Sequence, residues 1–125
     1  MLFFKGDAIM LIASILFFAI AAVGGVVLAA MRLKNQPMPA SLAMTHGSLA
    51  ATGVVLLLIA MAVCVKCSAV LAAALILFLV AAAGGVFMAV AFSMRKRTLP
   101  IPLMLAHGSL AVIAFLLLLS RVVGV

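Results

Sequence analysis

AAVGGVVLAAMRLKNQPMPASLAMTHGSLA, residues 21–50, returns as AAAGGVFMAVAFSMRKRTLPIPLMLAHGSLA at residues 81–111. Three phrases recur in the same order. AAVGGV at 21–26 matches AAAGGV at 81–86, MRLKNQPMP at 31–39 matches MRKRTLPIP at 94–102, and HGSLA at 46–50 is unchanged at 107–111. The offsets are therefore 60, 63 and 61 residues. Self-similarity of this kind is read before any local pattern. It divides the chain into a first half at 1–63, a turn at 64–67 and a second half at 68–125.

The duplicated stretches lie in a very apolar chain. Of its 125 residues 71% are hydrophobic, and the mean hydropathy is +1.63. Four apolar blocks, at about 8–31, 41–63, 68–94 and 101–120, are each long enough to cross the hydrocarbon layer as a helix. Only a helix or a closed barrel satisfies the backbone there. The expectation is an all-α membrane protein, with four transmembrane helices forming a compact bundle of two hairpins. Two spans separate equivalent points, so the hairpins enter the membrane in the same orientation, as a parallel repeat. The first block is too long, and its start too weakly basic, for a signal peptide. Asp7, the only acid, reads as a cap at the positive end of the first helix.

The basic residues suggest an orientation. Arg32, Lys34, Arg95, Lys96 and Arg97 lie in the loops after helices one and three, against Lys5, Lys66 and Arg121 on the other side. Five against three places the first and third loops in the cytoplasm and both termini outward, as in a bacterial inner membrane. The net charge of +7 is mostly this signal, with some attraction to anionic lipid. The charges are too few and scattered for a nucleic-acid surface. Trp and Tyr are both absent, so the usual interfacial aromatic belts are missing.

The two halves carry the only two histidines, His46 and His107. Counted from Pro39 and Pro102, each lies roughly 7–10 Å below the basic loops. Gly24, Gly25, Gly84 and Gly85 reach a similar level. Three added residues before Met94 read as about one extra turn of helix three, which keeps its face in phase. Ala50 and Gly53 share the face of His46, and Ala111 and Ala114 that of His107. These small residues describe an open slot between two imidazoles.

Ionisable groups within a bilayer are costly and usually functional. Two facing imidazoles can take both axial positions of one heme iron. The glycine pairs would then approach the macrocycle's edges, and Arg32, Lys34, Arg95 and Arg97 would meet its propionates. This predicts a small b-type cytochrome that moves single electrons, with a redox protein or a quinone as partner. In architecture alone the chain resembles four-helix membrane cytochromes b.

Other readings compete. The histidines can be polar glue between helices, in an accessory subunit of a larger complex or a homodimer. The glycines can be packing devices: Ala21, Gly25 and Ala29 form a small-residue row that Ala81, Gly85 and Ala89 repeat. Methionines cluster at the histidine end, and Met44 and Met104 with the imidazoles would suit copper. Cys64 and Cys67 form CVKC in the central turn, without the following His of a c-type heme site. They are either a redox pair or two small residues at a helix end.

The length and four spans are similar to those of small multidrug transporters. Those need an embedded carboxylate, and none is present here. No nucleophile–base–acid set is present either, so hydrolysis is not expected.

Overall fold

The computed structural model describes residues 5–64 and 68–124. Four long helices account for nearly all of them: α1 (Lys5–Leu33), α2 (Ala40–Val63), α3 (Ala69–Met88) and α4 (Ile101–Val123), with a π-helical stretch at Ala89–Ser93 continuing α3. Each is long and apolar enough to span a membrane, with mean hydropathies of 2.7, 2.0, 2.7 and 2.2. Asp7 falls within α1. Its side chain, and with it the capping role read for it, lies outside the description, as do Lys66 and Cys67.

The ends of the helices follow from local chemistry. Met31 and Arg32 carbonyls would be left open where α1 stops. The Gln36 N–H donates to Met31 O (2.8 Å) and the Asn35 N–H to Arg32 O (3.1 Å), which closes the helix with a Schellman turn. Asn35 takes the left-handed conformation this needs, at φ 54°. The same turn recurs 61 residues later: Arg97 N–H donates to Phe92 O (2.8 Å), Lys96 N–H to Ser93 O (3.1 Å), and Lys96 has φ 53°. Pro39 and Pro100 then stand as N-caps of α2 and α4. Their carbonyls accept the first helical bonds, from Ala43 and Met104, both at 3.2 Å. Pro lacks an N–H and is extended here, which suits the residue just before a helix. On the opposite side Ser68 caps α3 by accepting from the Leu71 N–H.

These turns correct the sequence alignment. Asn35 pairs with Lys96 and Pro39 with Pro100, so the offset is 61 and not the 63 that MRLK and MRKR imply. The second half holds one extra residue and no extra turn. The π-helical stretch at Ala89–Ser93 absorbs it, with Met94 N–H reaching back five residues to Ala89 O (2.8 Å). His46 and His107 thus each lie seven residues past their capping proline.

Lysine is poorly suited to the left-handed region and glycine well suited. Lys96→Gly is expected to raise stability by roughly 0.5–1 kcal/mol, read as a higher unfolding midpoint in detergent. A lower midpoint would contradict the turn assigned here.

α1 packs along α2 and α3 along α4, while the two hairpins meet more sparingly, through α2–α3 and α1–α4. The four helices close a ring in which α1 faces α3 across the centre and α2 faces α4. The core is a short column of Leu11, Phe18, Leu57, Leu71, Phe78 and Leu118 with small alanines between. Phe18 and Phe78 stack across the centre with ring centroids 3.8 Å apart and planes 3° from parallel. Large aliphatic residues such as Ile9, Leu16, Val23, Ile76 and Leu116 face outward. In water that surface would be a liability; against acyl chains it costs nothing.

Gly53 shows how tightly the column is built. A Cβ there would lie 2.9–3.1 Å from three ring atoms of Phe18. Phe78 stacks on the same ring, which limits its retreat. The fully buried Ser14 hydroxyl also donates to Gly53 O at 2.9 Å. Gly53→Ala is therefore expected to cost about 1–3 kcal/mol, despite the better helix propensity of alanine. An unchanged unfolding midpoint would contradict this packing.

Candidate functional site

The histidines sit on diagonal helices, α2 and α4, each as the seventh helical residue. Their ring centroids are 6.2 Å apart and their planes cross at 74°. Each ring is held by its own hairpin. His46 Nδ1 is 2.7 Å from Ala21 O on α1, and His107 Nδ1 is 2.8 Å from Ala81 O on α3. A carbonyl only accepts, so Nδ1 carries the proton in both rings. In the neutral imidazole that leaves the Nε2 lone pair as the free acceptor.

A helical carbonyl is normally screened by the side chain four residues on. Here that residue is glycine in both helices. At Gly25 a Cβ would lie 3.0 Å from His46 Cε1 and 3.4 Å from Nδ1; at Gly85 it would lie 3.2 Å from His107 Cε1. A Cβ at either glycine would press on the ring that reaches Ala21 or Ala81, and the imidazole would have to give by a few tenths of an ångström. Gly24 and Gly84 are looser, with nearest approaches of 3.6 Å to His46 Cβ and 3.9 Å to His107 Nδ1. Gly25 and Gly85 therefore make the close approach to the imidazole of their own hairpin, and Gly24 and Gly84 make ordinary contacts.

The other small residues of the expected slot differ in their surroundings. Phe18 covers Gly53, and Ala114 is fully buried in the core. Ala50 and Ala111 are half-buried. Below the histidine layer the Phe18–Phe78 stack joins the hairpins.

The cations divide. Lys34, Arg95 and Arg97 are exposed at the end nearer the histidines. Arg32 is partly buried: its Nε–H donates to Leu99 O at 2.6 Å, and Nη1 to Asn35 Oδ1 at 3.3 Å. It ties the end of α1 to the approach of α4, and so clasps one hairpin to the other.

Met44 is 72% exposed. Met104 is buried. Among the described residues no group of three or more His, Cys, Asp or Glu side chains converges. Cys64 caps α2, 18 residues and about 27 Å along the helix from His46. Its partner Cys67 lies outside the described residues.

Some features of this layer carried no side-chain signal. Ala21 and Ala81 act through backbone oxygens. Ser14 and the Phe18–Phe78 pair were legible in principle, as a lone hydroxyl in an apolar helix and as phenylalanines 60 residues apart. Compared with protein-family models, curated proteins and solved structures, the chain matches none of them.

Proposed function

We propose that His46 and His107 are the axial ligands of one heme b and that the chain is a one-electron carrier in a membrane. One observation carries the reading: two imidazoles, each with Nδ1–H on a backbone carbonyl and Nε2 free, stand 6.2 Å apart. Metal–imidazole bonds of about 2 Å, in line on one metal, put ring centres roughly 6 Å apart. The Nδ1–carbonyl bond is the usual outer partner of a metal-bound histidine, fixing its tautomer and raising its basicity.

The ligand count favours a macrocycle over a bare ion. Zinc and most copper sites need three or four protein ligands. A porphyrin brings four nitrogens and asks only two of the protein. It would stand between the hairpins, where packing is sparser; the ring centres already stand at the ligand spacing, so room for the macrocycle has to come from the side chains around them. With His46 and His107 holding it, a heme would supply one-electron transfer and leave no open position for a substrate. Hydrogen bonding from Nδ1 favours the ferric state, which lowers the reduction potential.

In this reading the four helices cross the bilayer as two parallel hairpins, with the basic loops cytoplasmic. The absorption spectrum tests it. Protein purified from heme-replete cells should show a Soret band, and dithionite should sharpen the α band. A colourless protein that also takes up no added heme overturns the reading and leaves the histidines as interhelical packing groups.

A further inference from the structure

The seam between α1 and α4 carries a feature that the histidine pair does not use. A groove of about 510 Å³ runs along it, lined by Ala29 of α1 and by Met104, Gly108, Val112 and Ile113 of α4. Only the Ser109 hydroxyl interrupts its apolar wall. Gly108 leaves the floor open: nothing lies within 4 Å of where its Cβ would be. From Met104 to Ile113 the groove covers about 14 Å of helix, close to the hydrocarbon depth of one leaflet.

A cation stands over one end. Arg32 follows Ala29 by three residues and so shares its face of α1. Its bond to Leu99 O holds the guanidinium across the seam, just before α4 begins. Its hydrogen bonds engage Nε and Nη1, two of five available N–H donors. A fixed positive charge above an apolar channel matches a molecule with an anionic head and a hydrocarbon tail.

We propose that this groove seats an acyl chain of an anionic phospholipid, with its phosphate on Arg32. Arginine suits phosphate because its fork of donors can bind two oxygens at once. A zwitterionic headgroup adds an ammonium that the same arginine repels. The bound lipid fills the sparse α1–α4 seam and braces the end where Arg32 already clasps the hairpins. This proposal does not depend on the heme reading.

The test is native mass spectrometry of the full chain in mild detergent. The protein is offered phosphatidylglycerol and phosphatidylcholine with identical acyl chains. The wild type should retain one phosphatidylglycerol in preference to phosphatidylcholine. Arg32→Gln should cut that retention about five- to tenfold, a change of about 1 kcal/mol. Gly108→Leu, which fills the floor while leaving every charge in place, should cut it similarly. Arg95→Gln with Arg97→Gln should change it less than about twofold, because these exposed cations act only through the screened surface potential. Equal retention of the two lipids by the wild type overturns the proposal. So does a Gly108→Leu protein that binds as the wild type does, a result that stands even where Arg32→Gln fails to fold. Equal losses from the Arg95/Arg97 pair and from Arg32 would replace the site with a diffuse basic surface.

Discussion

His46→Ala and His107→Ala are each expected to lower heme affinity by at least about a hundredfold and to abolish the six-coordinate low-spin spectrum. The magnitude has a floor. Removing only the outer partner of a metal-bound histidine costs about 10–100-fold, and removing the ligand costs more. The two variants should behave alike, because each ring has the same anchor, a carbonyl of its own hairpin at 2.7 or 2.8 Å. Residual heme in either variant should be five-coordinate, high-spin and open to carbon monoxide. Titration of the purified proteins with heme, followed at the Soret band, measures both effects. Variants that lose only thermal stability, with no chromophore in the wild type, would assign the rings to packing.

Gly25→Ala is expected to weaken heme binding about 10–100-fold while Gly24→Ala leaves it unchanged. The two positions are adjacent and chemically identical, so their contrast isolates one contact. At Gly25 the new carbon meets Cε1 at 3.0 Å and Nδ1 at 3.4 Å. The ring must shift by a few tenths of an ångström, which loosens its bond to Ala21 O. At Gly24 the nearest atom is 3.6 Å away, an ordinary contact, and the substitution should add helix propensity worth up to about 1 kcal/mol. Gly85→Ala, at 3.2 Å from His107 Cε1, should fall between them. Gly25→Ala should also raise the heme's midpoint potential, because a weaker Nδ1 bond makes a less basic ligand. Equal behaviour of the Gly24 and Gly25 variants would contradict the assigned contact.

These cases show where sequence reasoning succeeds and where it stops. The four helices follow from length and hydropathy, which are local properties. The histidine pair follows from the HGSLA repeat, because duplicated phrases share a depth. The neighbour that fills a given face is a long-range fact. Spacing places Gly53 on the face of His46, yet Phe18 from α1 takes the room beside it. Spacing also puts Gly25 in the histidine layer, without revealing that the imidazole itself lies on it. The MRLK–MRKR match misled the alignment because similar basic residues fall at different positions of the two loops. Backbone geometry at Asn35 and Lys96 fixes the true register. Arg32 is set apart from the other loop cations chiefly by its bond to Leu99 O, and the acceptor is a main-chain atom that no residue type announces.

The ring planes cross at 74°, and this angle gives the sharpest test. Imidazoles that are nearly perpendicular donate into different iron d orbitals and leave those orbitals almost equal in energy. Electron paramagnetic resonance of the ferric protein reads that splitting directly. The account predicts a highly anisotropic low-spin signal in the wild type, absent from both histidine variants. A high-spin signal alone, or no heme signal after incubation with heme, would contradict it.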